Sequence, residues 1–277
     1  MKIPTLLKQS SLIFFLVLVN CGKGSVNSND SSSASGGSSG GSGSSGLTQL
    51  SVSDDFSSAA TLGNWTPRST LESSASDGSY SIVSGQMLLQ PTFGEVWYDA
   101  SRGLAVLKTF ASATYPNMVI ETQVHSYQTG TVLAPVDQFK GGGLVWLPDT
   151  SDTSDWVITA IGYTNGANAL SFEYKTTSTN NSTLSYASNG SNYEGRVRIC
   201  LVGSDIYAYG QNLSETSWTL IGSSVGVHTV GTNFAVGIFS NAWDNPGDAS
   251  EVSTDSYFDY IYYSSEISSV SDCTKSF

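Results

Sequence analysis

The 277-residue chain has few of the side chains on which many protein functions depend. It contains two histidines, three cysteines and 11 lysines and arginines, against 23 aspartates and glutamates, for a net charge of −12. Residues 199–274 carry nine carboxylates and no lysine or arginine. Nucleic-acid binding needs a basic patch that displaces counterions from phosphates, and this chain cannot assemble one. With only His125 and His228, a three-histidine zinc site is excluded and histidine-based catalysis has few candidates.

Residues 1–20 predict an export signal. Two lysines precede an apolar run at residues 12–19, which is too short to span a bilayer. The run ends in Leu18-Val19-Asn20-Cys21, which resembles the lipobox of bacterial lipoproteins. The resemblance implies cleavage before Cys21, a lipid on that cysteine and a place in the bacterial cell envelope, at the outer membrane or cell surface. The alternative is an ordinary secretory signal.

Residues 21–46 predict a flexible tether. Residues 31–46 consist of nine serines, six glycines and one alanine, a composition that buries nothing and behaves as a coil. Loss of residues 1–20 removes two lysines and no acid, leaving 9 basic against 23 acidic residues, a net charge of −14. An anionic membrane would repel such a surface, which fits a domain that is held away from it.

Residues 47–277 predict one all-β domain. Met118–His125 alternates, with Glu121, Gln123 and His125 opposite the apolar side chains, and Arg196–Val202 alternates in the same way. Short runs of β-branched and aromatic residues predict further strands at 80–83, 86–90, 104–110, 143–147, 156–163, 170–175, 206–210, 218–222, 233–240 and 257–264. Many short strands with glycine-rich turns favour a β-sandwich or jelly roll of antiparallel sheets.

The two ends of this domain are distinctive. Val52–Ser57 (VSDDFS) precedes Leu62–Trp65 (LGNW), and Val236–Ser240 (VGIFS) precedes Tyr257–Ile261 (YFDYI), with Gly141–Trp146 (GGGLVW) between them. This layout resembles the concanavalin A-like lectin/glucanase jelly rolls, especially the non-catalytic C-terminal sandwich of family-43 β-xylosidases. The resemblance implies a jelly-roll β-sandwich of two antiparallel sheets.

Catalysis is not predicted. Glycosidases of this superfamily use paired carboxylates on one strand, but Glu121 is followed two residues later by Gln123, and Glu173 by Lys175. We interpret both glutamates as solvent-facing strand residues. Metalloprotease and Walker A motifs are also absent from the sequence.

The resemblance implies a structural calcium ion between the first and last strands, with Asp54, Asp55 and Asp259 at the matching positions. The alternative is that these are turn and edge-strand carboxylates bound to backbone amides. Two other acidic loops, at residues 149–155 and 243–248, compete for a metal, but their asparagine, aspartate, proline and glycine residues are typical of ordinary turns.

Sugar binding is the leading hypothesis, because aromatic rings can stack on pyranose faces while neighbouring polar groups bind hydroxyls. The candidate residues are Trp97, Tyr98, Asp99, Trp146, Trp156, Tyr163, Trp243, Asp244 and Asn245. We therefore predict a lipid-anchored, non-enzymatic domain that binds a glycan or a glycosylated partner. The alternatives are a protein-binding adhesin or envelope-assembly lipoprotein, and an atypical glycoside hydrolase.

Two cysteines remain in the predicted domain, Cys200 and Cys273. Outside the cytoplasm such a pair can form a disulfide, and the alternative is two free thiols.

The lipid anchor is directly testable. Cys21→Ala removes the residue to which the lipid would be attached, so we expect the protein to leave the membrane fraction for the soluble fraction. Fractionation followed by immunoblotting measures this, with Ser25→Ala as the control that retains Cys21. Retention of the Cys21→Ala protein in the membrane fraction would contradict lipidation at this residue.

Overall fold

A computed structural model describes residues 46–92, 94, 96–164, 169–243 and 252–277 of the chain. The predicted signal, Cys21 and almost all of the predicted tether lie outside these residues, as do Asp244 and Asn245. Within the described part, no helix is both long enough and apolar enough to cross a membrane.

The described residues form fourteen strands, and the helix among them is confined to short turns. The strands are β1 (Thr66–Pro67), β2 (Gly78–Val83), β3 (Gln86–Pro91), β4 (Leu104–Ala111), β5 (Asn117–Gln128), β6 (Lys140–Leu147), β7 (Trp156–Thr164), β8 (Ala169–Ser178), β9 (Asn181–Ser188), β10 (Glu194–Val202), β11 (Asp205–Gln211), β12 (Thr219–Ser224), β13 (Asn233–Ala242) and β14 (Thr254–Ser264). The helices are α1 (Arg68–Leu71) and two 3₁₀ helices, at Ala59–Asn64 and Val270–Thr274.

The strands form two antiparallel sheets of seven. The first sheet has the order β1-β4-β13-β6-β7-β8-β9, and the second has the order β12-β11-β10-β5-β14-β3-β2. Each strand named in the sequence analysis is present, and the predicted all-β sandwich is confirmed. Sequence reasoning missed β9, an edge strand of sequence NSTLSYAS, because its serines and asparagine are typical of turns.

The main core lies between the two sheets. Alternate residues of β5 face inward, with Met118, Ile120 and Val124 fully buried, while β13 contributes Phe234 and Ile238. Trp65 packs in the same core, 5.9 Å from the ring of Phe56. Burial of this continuous apolar surface is the main stabilising term of the domain.

The glycine run at the start of β6 permits close strand packing in the first sheet. A side chain at Gly143 would overlap the backbone of Thr159 on β7, and one at Gly237 of β13 would overlap the backbone of Val106 on β4. Only glycine fits these two positions, because each neighbouring strand occupies the space of a Cβ atom.

A disulfide joins Cys200 on β10 to Cys273 in the C-terminal 3₁₀ helix, with their Cα atoms 5.7 Å apart. It fixes the C-terminal segment to the outer face of the second sheet, where Val119, Tyr209 and Ile267 pack around it.

Removing this disulfide should destabilise the domain. The cross-link closes a loop with a sequence separation of 73 residues, so we expect Cys200→Ser with Cys273→Ser to lower the free energy of unfolding by about 2–5 kcal/mol. Urea unfolding measures the change, and dithiothreitol should bring the wild-type protein to the midpoint of the double variant. Equal midpoints for the oxidised wild type and the double variant would contradict this role.

Candidate functional site

The outer side of the second sheet carries polar and aromatic side chains on three adjacent strands. On β5 the outward residues follow alternation, and β10 and β14 pair with them in antiparallel register. We call this set the polar face; it comprises Glu121, Gln123, His125 and Tyr127 of β5, Glu194, Arg196 and Arg198 of β10, and Tyr257, Asp259, Tyr260 and Tyr262 of β14. Glu194, Arg196 and Arg198 lie opposite His125, Gln123 and Glu121, respectively.

An irregularity in β14 decides which of its side chains reach the polar face. Tyr257 pairs with His125, but Tyr260 rather than Asp259 pairs with Gln123, so Asp259 is an extra, bulged residue. Such a bulge shifts the alternation by one residue. Tyr257 and Tyr260 therefore share the outer side, while Tyr263 is fully buried in the core.

His125 lies between two carboxylates. Its Nε2 is 3.1 Å from Oδ2 of Asp259, and its Nδ1 is 3.5 Å from Oε2 of Glu194, at ion-pair distance but outside hydrogen-bonding geometry. Asp259 also accepts hydrogen bonds from Gln123 and, at 2.5 Å, from Gln86. The imidazole is therefore held between carboxylates of β10 and β14.

His125 and Asp259 shift each other's pKa in opposite directions. Burial alone would lower the pKa of His125, but hydrogen bonding and attraction to Asp259 and Glu194 outweigh it, and the pKa is raised. Burial alone would raise the pKa of Asp259, but the bonds from His125 and Gln86 outweigh it, and the pKa is lowered. The ion pair is therefore favoured at mildly acidic pH.

Three tyrosines pack together beside this histidine; we call Tyr127, Tyr193 and Tyr257 the tyrosine cluster. The ring of Tyr127 lies 5.7 Å from each of the other two and is nearly parallel to the His125 ring at 6.2 Å. Its hydroxyl donates a 2.7 Å hydrogen bond to Oε1 of Glu194. All three tyrosines are half-buried, so their rings are held in place and still partly accessible.

Glu121 does not face solvent as the sequence analysis predicted. It is buried, with Arg198 donating to Oε2 and the Tyr260 hydroxyl donating a 2.6 Å hydrogen bond to Oε1. Glu173, on β8 of the first sheet, is likewise buried, 3.0 Å from Nζ of Lys175. The expectation of a solvated face was wrong in both cases, because each carboxylate is buried beside a cation: Arg198 from another strand for Glu121, and Lys175 from the same strand for Glu173.

Three tryptophans predicted to bind sugar lie in the interior. Trp97 and Trp156 are fully buried, with ring centroids 5.3 Å apart, and cover the apolar outer face of the first sheet around Val145 and Ile158. Trp146 is also buried and belongs to the core between the sheets. Rings so enclosed present no face to a ligand, which corrects the expectation that these three stack on a sugar.

Other predicted residues meet at a separate place beside the first sheet. The rings of Tyr98, which is 43% exposed, and Trp243 each lie 5.6 Å from the Phe139 ring, measured between centroids. Nζ of the buried Lys175 lies 4.8 Å from the Phe139 ring. The sequence analysis thus selected two members of one aromatic cluster but missed Phe139, which joins them.

The remaining predicted sugar-binding residues have local roles or lie outside the description. Asp99 accepts a 2.9 Å hydrogen bond from the backbone of Ser182 and donates its own N–H to the Ser182 hydroxyl at 2.8 Å. Tyr163 is half-buried on β7, paired with Lys140 of β6. Asp244 and Asn245 lie outside the described residues.

The three aspartates predicted to bind calcium are not brought together as ligands. Asp54 is buried, and its two oxygens accept hydrogen bonds from the N–H groups of Phe56 and Trp65. Asp55 is exposed and accepts from Ser57, while Asp259 binds His125 and its neighbours on the polar face. Among the described residues, no three histidine, cysteine, aspartate or glutamate side chains are grouped to hold a metal. The donor set as placed does not fit a calcium ion, and calcium binding stays an untested prediction.

The polar face was largely missed by sequence reasoning. The alternation of β5 did predict that Glu121, Gln123 and His125 share a side. Their partners come from strands about 70 and 135 residues further along the chain, and no local pattern indicates which strands become neighbours.

Comparison with known proteins establishes the fold. No protein-family model matches the chain, and no curated protein matches it. Its structure is similar to the GH43 protein BlXynB from Bacillus licheniformis, with a TM-score of 0.57 and 13% identity over 78% of this chain and 39% of that one. It is also similar to a functionally unknown protein from Saccharomyces cerevisiae, with a TM-score of 0.54 and 13% identity over 74% of this chain and 98% of that one.

A third similar structure is the endo-β-1,3-glucanase from Pyrococcus furiosus, with a TM-score of 0.51 and 12% identity over 80% of this chain and 96% of that one. Together with the two seven-stranded sheets, these similarities show that the chain has the concanavalin A-like jelly-roll fold, as the sequence resemblance predicted. Because this chain corresponds to only 39% of the GH43 protein, the activity of that whole protein is not transferred to it.

The two histidines should affect stability with opposite signs as pH rises through neutrality. The raised pKa of His125 stabilises the fold below its unfolded value of about 6.5, and this contribution is lost as pH rises through the folded pKa. Burial lowers the pKa of His228 despite its contact with Asp155, so His228 opposes folding at acidic pH and this cost disappears on deprotonation.

Urea unfolding at about pH 5.5 and pH 8.5 separates the two effects. The stability difference between the wild type and His125→Gln should fall with rising pH, whereas the difference between the wild type and His228→Gln should rise. A difference for His125→Gln that rises with pH would contradict the ion pair of His125 with Asp259, and a difference for His228→Gln that falls would contradict the buried, neutral state of His228.

Proposed function

We propose that this chain is a lipid-anchored, non-catalytic domain of the bacterial cell envelope that binds carbohydrate on its polar face. The observation that carries the proposal is the tyrosine cluster, in which the half-buried Tyr127 packs against Tyr193, Tyr257 and His125 and binds Glu194. The predicted export signal, Cys21 and serine-glycine tether supply the anchoring part of the proposal.

The tyrosine cluster suits sugar recognition for a physical reason. A pyranose has an apolar C–H face and a rim of hydroxyl groups, so it needs aromatic faces beside hydrogen-bonding groups. Tyr127 packs against Tyr193 and Tyr257, and its hydroxyl is held by Glu194. Because these side chains are already ordered, binding a sugar costs little side-chain entropy.

The titration of these groups supports binding over hydrolysis. A general acid in a glycosidase is a carboxyl group whose pKa is raised, but the pKa of Asp259 is lowered. Burial, together with the Glu194 contact, raises the pKa of Tyr127 well above its usual range, so its hydroxyl stays protonated. Glu121 is neutralised by Arg198. These groups suit hydroxyl binding better than proton transfer at neutral pH.

A specific observation favours protein binding as the second candidate function. The loop between β5 and β6 exposes Val132, Leu133 and Val136, which are 73%, 59% and 55% exposed. The loop is nevertheless ordered, since Gln128 donates to the carbonyls of Leu133 and Ala134. Exposed apolar side chains on an ordered loop are typical of a protein contact.

A glycan array probed with the Cys21→Ala protein tests the sugar-binding proposal. We expect binding to one class of glycan, and Tyr193→Ala or Tyr257→Ala should weaken it by about tenfold or more, equivalent to about 1.4 kcal/mol, because each removes an aromatic face. Tyr186→Ala is the matched control, since Tyr186 is an exposed tyrosine on the first sheet.

Absence of binding to every glycan would contradict the proposal, as would equal loss in the Tyr186 control. Capture of a protein partner that is unaffected by deglycosylation, but lost on Leu133→Asp, would favour the second candidate. Release of reducing sugar that is abolished by Glu194→Gln would instead identify a hydrolase.

A further inference from the structure

A cavity of about 430 Å³ opens on the polar face, where the face meets the C-terminal residues Ser276 and Phe277. Trp218, Tyr260, Tyr262 and Phe277 form its aromatic walls, and Arg196 and Arg198 line it from β10. A cavity of this size holds one or two sugar rings. Its polar atoms decide which sugars it can accept.

The acidic oxygens of this cavity are already bound. Glu121 accepts from the Tyr260 hydroxyl at one oxygen and from Arg198 at the other. Glu215 accepts from the backbone and side-chain nitrogens of Asn212 at 3.2 and 3.1 Å. Each oxygen of both carboxylates therefore already has a donor within the protein, and the charge of Glu121 is balanced by Arg198.

The cationic donors of the cavity are in surplus. Arg196 has five N–H groups, and its contact among the described residues is a single 2.9 Å bond from Nη1 to the neutral side chain of Gln211. No carboxylate of a described residue forms an ion pair with it. In the same wall, Nε of the buried Arg198 has no acceptor in the described part of the chain. A half-buried guanidinium with unused donors is matched by an anionic acceptor.

Position connects this guanidinium to the proposed sugar site. Arg196 pairs with Gln123, and Glu194, which holds Tyr127, lies two residues before it on β10. Two residues along a strand span about 6.6 Å, which is close to the width of one sugar ring. An oligosaccharide with one ring in the cavity can therefore extend to the tyrosine cluster, and the ring in the cavity can direct its carboxylate toward Arg196.

We infer that the glycan bound by the polar face is acidic, and that Arg196 binds the carboxylate of a hexuronic acid unit in this cavity. The inference rests on the proposed function and specifies its ligand class. A carboxylate fits because its two oxygens match the planar fork of a guanidinium, while the aromatic walls accept the apolar face of the ring.

Binding of uronic acid oligosaccharides and their carboxyl-reduced forms tests this inference. Tetrasaccharides of galacturonic, glucuronic and mannuronic acid are each compared by calorimetry with the neutral form, which keeps the same rings and linkages. With the full chain carrying Cys21→Ala, we expect at least one acidic form to bind tenfold or more tightly than its neutral form. Arg196→Gln should abolish this preference, because it should weaken binding of the acidic form by tenfold or more and weaken the neutral form less.

Two further variants keep the test independent of net charge and of folding. Lys275→Gln removes one positive charge outside the cavity and should preserve the preference. Arg196→Lys keeps the charge without the planar fork, so it should retain only part of the preference. If Arg196→Gln fails to fold by circular dichroism, the Arg196→Lys result decides, and an unchanged preference there overturns the inference.

The other outcomes separate this inference from the proposed function. Equal affinity for acidic and neutral forms would overturn the inference while sugar binding stands. Equal loss of binding of the acidic and neutral forms in a folded Arg196→Gln protein would overturn it as well. Arg196 would then maintain the structure of the polar face and would not bind the carboxylate. Failure of every acidic and neutral sugar to bind would refute the proposed function itself.

Discussion

The alternation of side chains along β5 is the constraint on which the rest of the domain depends. Its inward residues, including Ile120 and Val124, supply the middle of the core, and its outward residues begin the polar face. A shift of one residue would exchange these two sets and bury His125 in place of Val124. Because β5 lies at the centre of the second sheet, its register also fixes that of β10 and β14.

The outer faces of the two sheets are covered by different elements. On the first sheet, Trp97 and Trp156 close an apolar surface, which leaves those rings to packing. On the second sheet, the C-terminal segment covers only one end, where Cys273 is bound to Cys200 and Arg198 donates to the carbonyls of Cys273 and Lys275 at 2.6 and 2.7 Å. The other end keeps half-buried polar groups, and a ligand face is possible there because these groups satisfy one another.

Most of the fold could be predicted from the sequence, but most of the candidate site could not. Alternation at residues 118–125 predicted β5 and its two faces, since strand periodicity is a local property. Trp97 was expected at a binding surface because polar residues flank it, yet the apolar outer face of the first sheet requires a cover. Glu121 was expected in solvent because its cation, Arg198, is 77 residues away in sequence.

The sequence by itself determined the strand pattern, the acidic charge, the shortage of histidine and the resemblance to a jelly roll, because composition and periodicity are properties of the chain. Only the tertiary structure decided that His125 meets Asp259 and Glu194, and that Arg196 has donors to spare. The bulge at Asp259 illustrates the difference: one extra residue in β14 turns Tyr257 and Tyr260 to the same side. The pairing of β14 with β5, which is distant in sequence, decides which residue of β14 is left without a partner and therefore to which side its tyrosines point.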